Sequence, residues 1–513
     1  MSGRKEGRLL ARVRIFRDGE LLRETQADTG KTVYAAVTGA GVYLDAPCAG
    51  TGRCGKCLVR LSPDGEEVKA CLTEITGDTD VYLPGSGEMK IAGDGTKNDG
   101  HSGPYAAAVD IGTTTVVAYI VDMPSGQPVA TAAGVNAQRT YGADVISRIV
   151  CCDNEGHEKL TSLIRSQIRD LIAQAAAKAG IAAADVTYLA IAGNTVMQHL
   201  YNNDSPVGIG RVPFTPVSLY GTEEEAKPDL GIAPGATEYL APCIHSYVGG
   251  DITAGILASG FSGLEGTWLF IDVGTNGEMA LRSGGRMFCC ATAAGPAFEG
   301  AEISCGMAAV EGAVSYIRFE DGELKYDVVG GGEPRGICGS GLLDALALLL
   351  DCGAVDAGGM LLPPDEVEGP IAKYIDEDDD GVVFRISGDV CVSATDVRKL
   401  QLAKAAIAAG IQTLFSKAGV SSADGLLLAG GFGSYLDPRS AARIGLFPEE
   451  LLPNVRALGN TAGAGAVMAA CSAEAREKIR KITDECEYVE LSTDRVFNDQ
   501  FVMQMMFEED MDI

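Results

Sequence analysis

Val109-Asp-Ile-Gly-Thr-Thr114 and, 162 residues beyond its aspartate, Asp272-Val-Gly-Thr-Asn-Gly-Glu278 decide the fold. In each, an apolar run ends in an aspartate, a glycine and a threonine. A buried strand that ends this way turns tightly, and the backbone N–H groups and hydroxyls of the turn can hold phosphate oxygens. The recurrence predicts two homologous halves facing each other. Gly112, Thr113 and Thr114 on one side, with Gly274, Thr275 and Asn276 on the other, are then expected to clamp a polyphosphate. Asp110 and Asp272 are the expected catalytic pair, holding a magnesium ion through water.

Outward from these turns, short apolar strands alternate with helical patterns. Strands are expected at Ala106–Asp110, Tyr188–Ala192, Trp268–Asp272 and Leu426–Ala429. Ile164, Ile168, Leu171 and Ile172 share one helical face, as do Val397, Leu400, Ile407, Ile411 and Leu414. Alternation of this kind means α/β. The strand ending at Ala429 runs into Gly430-Gly431-Phe432-Gly433, a glycine turn against which an adenosine is expected to lie flat. Gly193-Asn194-Thr195 and Gly339-Ser340-Gly341 are further turns expected near the cleft.

The first hundred residues read differently. Arg12–Phe16 alternates like a half-buried strand, Asp18-Gly19 makes a hairpin turn and Leu21–Thr25 returns. A short helix at Val33–Thr38 precedes a glycine-rich loop carrying Cys48, Cys54 and Cys57, and strand Leu58–Leu61 leads toward Cys71. The spacing C-x5-C-x2-C-x13-C is near the C-x4-C-x2-C of plant-type two-iron ferredoxins, in which three thiolates wrap the cluster and a fourth arrives from elsewhere. Structural zinc and inert buried thiols are the competing readings. Zinc ribbons favour paired CxxC knuckles, which this set lacks. Gly50-x4-Gly55-Lys56 imitates a phosphate loop, but Cys57 stands where Ser or Thr must hold magnesium.

These features set expected boundaries: a β-grasp ferredoxin-like module over 1–74, a linker over 75–104, and the halves of an actin-like ATPase over 105–260 and 261–513. The linker is expected because Pro84-Gly-Ser-Gly87 and the glycine-rich run after it form no periodic pattern. The eleven remaining cysteines of fifteen are expected to be small buried hydrophobes in a reduced, cytoplasmic setting, since no signal-peptide or membrane-length apolar run is present. Residues 1–100 carry 14 Lys and Arg against 15 Asp and Glu, and the rest 27 against 55. A net charge of −29 held almost wholly by the later residues argues against nucleic acid as a partner. The acidic run Asp376–Asp380 is expected to be a solvated loop, since its twelfth position is Ser387 where a calcium loop needs Glu. The four histidines show no metal spacing.

Taken together, the cysteine set, Asn136-Ala-Gln-Arg-Thr-Tyr-Gly-Ala-Asp144, Gly295-Pro-Ala-Phe-Glu-Gly-Ala301, Cys338-Gly-Ser-Gly-Leu-Leu-Asp344 and the three glycine turns resemble the reductive activators of corrinoid proteins. Their ATPase region resembles the acetate and sugar kinase, heat-shock chaperone and actin superfamily, with two ribonuclease-H-like halves closing on ATP. The resemblance implies a 2Fe-2S cluster on Cys48, Cys54, Cys57 and Cys71, ATP with magnesium in the cleft, and one-electron reduction of cobalt(II) to cobalt(I). It also implies a corrinoid protein of a methyltransferase system as partner, a low-potential electron donor upstream, and an assembly that admits a homodimer. Gly295–Met307, with Glu299, is the candidate docking surface. A small-molecule kinase with a redox module and an ATP-gated electron donor to a dehydratase are the alternatives.

Overall fold

The computed structural model describes residues 10–17, 20–40, 44, 57–63, 65–83, 103–142, 144–300, 303–307, 309, 311–378, 381–430 and 436–508. The chain forms two compact units, Met1–Thr96 and Lys97–Ile513.

In the first unit, β1 (Leu10–Arg17) and β2 (Glu20–Asp28) form an antiparallel hairpin, followed by α1 (Val33–Gly39), β3 (Leu58–Arg60), β4 (Glu67–Lys69) and β5 (Thr79–Leu83). The sheet order is β2-β1-β5-β3-β4, with β1 and β5 parallel, a β-grasp arrangement. Val13, Ile15, Val33, Val37, Val59, Ile75 and Val81 fill its core. One expected boundary moves: β5 lies inside the stretch assigned to the linker, yet it is the central strand of this sheet. Val81 and Leu83 are buried on one face and alternate with half-buried Tyr82, so the segment satisfies strand periodicity before Pro84 interrupts it. The Asp18-Gly19 turn and most of the linker lie outside the described residues.

The second unit contains the expected duplication. Its first sheet runs β10-β11-β9-β6-β7-β8, built from β6 (Tyr105–Ile111), β7 (Thr115–Asp122), β8 (Gln127–Val135), β9 (Val186–Gly193), β10 (Glu223–Glu225) and β11 (Thr237–Leu240). Helices α2 (Val145–Glu155), α3 (Glu158–Ala179), α4 (Thr195–Asn202) and α5 (Gly250–Ser259) complete the half. The second sheet is headed by β12 (Trp268–Val273), β13 (Gly277–Ser283) and β14 (Arg286–Thr292). An inserted layer follows: β15 (Ala313–Glu320), β16 (Glu323–Val328), β17 (Gly336–Ile337), α6 (Gly339–Asp351), β18 (Ile375–Asp378), β19 (Gly381–Ser387) and β20 (Val390–Ser393). Then come α7 (Ala394–Ala418), β21 (Gly425–Ala429), α8 (Pro438–Arg443), β22 (Val455–Gly459), α9 (Thr461–Cys471), α10 (Ala473–Glu485), β23 (Cys486–Tyr488) and α11 (Arg495–Met503).

The two sheets share one topology. β6 pairs antiparallel with β7 and parallel with β9, and β12 pairs antiparallel with β13 and parallel with β21. Asp110 and Asp272 thus stand at equivalent places, beside Ala192 and Ala429 of the next parallel strands. The described part of the acidic run, 376–378, is strand: Ile375–Asp378 pairs antiparallel with Gly381–Ser387, and Phe384 and Ile386 lie in the core. Six of the eleven remaining cysteines are buried as expected, while Cys151, Cys305, Cys352, Cys391 and Cys471 keep part of their surface open.

The halves are not cleanly successive in sequence. Helix α9, near the C-terminal end, packs against α5 and against β6 and β9 of the first half. Small residues make this possible: a Cβ on Gly465 would stand 2.1 Å from the Ala254 carbonyl, and one on Gly255 would stand 2.8 Å from Thr461 Oγ1.

Candidate functional site

The first glycine turn is braced from within. Asn136 Nδ2 donates to the Gly112 carbonyl at 2.9 Å, the Asn136 N–H to the Thr114 carbonyl at 2.8 Å, and Arg148 to the Thr113 carbonyl at 2.5 Å. Three successive carbonyls are committed inward, which leaves the amide edge of the turn for an anion. Asn194, which caps α4, donates to Thr113 Oγ1 at 3.0 Å. Gly112 admits no side chain, since a Cβ would meet the Thr115 carbonyl at 2.7 Å.

Across the cleft, Gly274 N–H closes the second turn on the Asn276 carbonyl at 2.9 Å. Gly430, at φ +90°, lies so close to β12 that a Cβ would stand 2.5 Å from Asp272 Oδ1. The third glycine turn therefore starts against the second. Its other expected adenosine contacts, Gly431, Phe432 and Gly433, lie outside the described residues, as do Cys48 and Cys54.

Four carboxylates face this cleft. Asp110 and Asp272 are joined by Asp251, in the first turn of α5, and Glu278 of β13. Burial pushes Asp110 up to about 6, opposed by the hydrogen bond it accepts from Asn460 Nδ2 at 2.8 Å. Burial and then the charge of Asp110 push Asp272 up to about 7. Asp251 is pushed up to about 8 by burial and by Asp272 and Asp110, and Glu278 is held well above the usual carboxylate range by burial and by Asp251 and Asp272. The three aspartates are half-buried. Mutually repelling carboxylates in such a place suit a divalent cation. Among the described residues no three His, Cys, Asp or Glu converge to ligate a metal directly.

Sequence reasoning missed Asp251. Its signal was Gly249-Gly250 ahead of a small-residue helix: a Cβ on Gly249 would meet Asn194 Cα at 2.5 Å, and one on Gly250 the Ala241 carbonyl at 2.5 Å. Those two glycines press the start of α5 against the Gly193-Asn194 turn. Asn460, which caps α9 and reaches Asp110 from the other half, was also missed.

Glu299, in the segment expected as a docking surface, is half-buried, and its carboxylate bridges the two phosphate turns. Thr114 Oγ1 donates to Glu299 Oε2 at 2.7 Å and Thr275 Oγ1 to Glu299 Oε1 at 2.8 Å. Phe298, just before it, is buried.

In the β-grasp unit, Cys57 and Cys71 are buried with their sulfurs 3.2 Å apart, although 13 residues separate them. Two of the described histidines serve structure. His199 Nδ1 lies 2.7 Å from the Thr195 carbonyl while Nε2 accepts from the Val217 N–H at 3.0 Å, and His245 stacks on Tyr488.

Two duplicated half-sheets, a glycine turn from each and an acidic floor between them define a protein of the acetate and sugar kinase, chaperone and actin class. A family model described as the C-terminal domain of RACo, the ASKHA domain, matches residues 266–513, and one described as the RACo middle region matches 105–263. A corrinoid activation enzyme, RamQ of Eubacterium limosum, is 34% identical over 423 residues, covering 79% of this chain and 70% of that one. A Co(II) methylated amine-specific corrinoid protein reductase of Methanosarcina barkeri is 24% identical over 442 residues, covering 79% and 77%. The solved structure of a reductive activator for a corrinoid, iron-sulfur protein superposes with a TM-score of 0.71 at 29% identity, covering 97% and 98%. The chain belongs to the RACo family of corrinoid activation enzymes.

Proposed function

We propose that this chain is an ATP-dependent reductive activator that returns one electron to a corrinoid protein whose cobalt has oxidised to cobalt(II). The observation that carries the proposal is the pairing, in one chain of this family, of a two-sided acid-floored cleft with a β-grasp unit that brings Cys57 and Cys71 together. Cys57 and Cys71, with Cys48 and Cys54 from the glycine-rich loop, would hold a 2Fe-2S cluster. The buried, converging thiols of Cys57 and Cys71 suit it, because a cluster of this type takes four thiolates. Such a cluster supplies a one-electron carrier at about −400 mV. An upstream low-potential donor must refill it.

In the cleft, Thr113, Thr114, Thr275 and Asn276 would hold the phosphates of ATP, and Asp110 and Asp272 the water shell of magnesium. Reaching cobalt(I) is uphill by about 1.4 kcal/mol for each 59 mV below the cluster potential. ATP can offset this only by changing the relative affinity of the activator for the two corrinoid states, since equal binding shifts no equilibrium. The test is anaerobic: chain, titanium(III) citrate and a cobalt(II) corrinoid protein of a methyltransferase system, followed optically. Cobalt(I) is expected only with ATP present. Equally fast formation without ATP would overturn the coupling.

A further inference from the structure

Glu299 stands between the two phosphate turns and bonds to a threonine hydroxyl of each, at 2.7 and 2.8 Å. Its place between them is held firmly. Ala297 and Phe298 before it are buried in the second-half core. Gly300 after it adopts φ +74°, and a Cβ there would meet the Met307 carbonyl at 2.6 Å. Further along the segment, the Ser304 N–H donates to Asp396 Oδ1 at 3.0 Å at the start of α7, so the whole turn is tied to the second half.

We propose that Glu299 is the general base for ATP hydrolysis in this cleft, an assignment that rests on the nucleotide reading above. The hydroxyls it now engages are those expected to hold the terminal phosphate. Incoming phosphate oxygens replace one carboxylate acceptor with another anionic acceptor, and Glu299 is left within one water of the γ-phosphorus. The water oxygen attacks that phosphorus as the bond to the β–γ bridging oxygen breaks. The bond pair leaves with ADP, and the water proton passes to the Glu299 carboxylate and then to solvent. Since Glu299 touches one turn from each half, it takes up the proton only where both halves have closed on the same phosphate.

The test separates hydrolysis from binding, using the whole chain with Mg–ATP. Glu299→Gln keeps the shape and removes the charge and the basic oxygen. Single-turnover hydrolysis is expected to fall by about 100-fold or more, the usual contribution of a general base. Mg–ATP affinity, by isothermal titration, should hold or tighten, because a negative charge leaves a phosphate pocket. Glu299→Asp, which retains a carboxylate one methylene shorter, should hydrolyse faster than the Gln variant. Parental hydrolysis in Glu299→Gln overturns the assignment. Loss of hydrolysis together with loss of nucleotide binding in both variants also overturns it, in favour of a purely structural bridge. Failure of the parental chain to bind Mg–ATP sinks the nucleotide reading itself.

Discussion

Arg148 is a fully buried cation whose guanidinium reaches the carbonyls of Thr113 and Gly142, Gln138 Oε1 and Met197 Sδ. These acceptors are all neutral. Burial pushes it down to about 10, so it still carries its proton at neutral pH. A positive charge under the first phosphate turn favours an anion above it, and the planar fork spans acceptors that a point donor cannot. Arg148→Met should weaken Mg–ATP binding about tenfold or more, since hydrogen bonds to charged groups are each worth about 1.5–3 kcal/mol. Arg148→Lys should recover little of it. Titration calorimetry on both variants checks this, and Lys equal to Arg would show that only the charge matters.

Among the elements, α9 joins the two halves. Its Thr461-Ala-Gly-Ala-Gly-Ala466 start is small because the α5 backbone lies against it, and the Ala254 carbonyl that a Cβ at 465 would strike cannot swing away as a side chain would. Gly465→Val should cost about 1–3 kcal/mol from overpacking. It should also reduce nucleotide hydrolysis, because Asn460 at the cap of α9 is the residue that reaches Asp110. Urea unfolding with a hydrolysis assay tests both. At the other end, Lys404 of α7 donates to the Met506 carbonyl at 2.7 Å and lies over the Phe507 ring, fastening the segment after α11. Burial pushes Lys404 down to about 8 from 10.5. Between those values the unfolded chain holds a proton that the folded chain has released, so stability rises with pH across that window. From pH 7.5 to 9.5 the gain from this group should be about 1–2 kcal/mol. Lys404→Met should flatten that part of the slope in parallel urea titrations.

For the whole molecule, the β-grasp unit and the two-half unit each have their own core, and their chemistries should be separable by mutation. Cys57→Ala is expected to abolish bound iron and sulfide while ATP hydrolysis continues. Asp272→Asn should do the reverse. Iron and sulfide analysis beside phosphate release decides. Loss of both functions in either variant would mean that the units fold or act only together.

Strand ends, glycine turns and cysteine spacing were legible in the sequence because the groups that make them are neighbours in the chain. A phosphate turn needs Asp, Gly and Thr in succession, so Asp110–Thr114 and Asp272–Asn276 declare both the duplication and the cleft. The thiol loop likewise declares a ligand set before any fold is known. β5 escaped notice because Thr79–Leu83 is short and runs straight into Pro84-Gly. Asp251, Asn460, Arg148 and the true place of Glu299 were decided only by tertiary structure. Each acts on a turn far away in sequence: Asn460 lies 350 residues from Asp110, and Glu299 lies 185 from Thr114. No local pattern encodes such meetings. They arise because two like sheets, closed by a helix that returns from the end of the chain, bring their strand ends to one cleft.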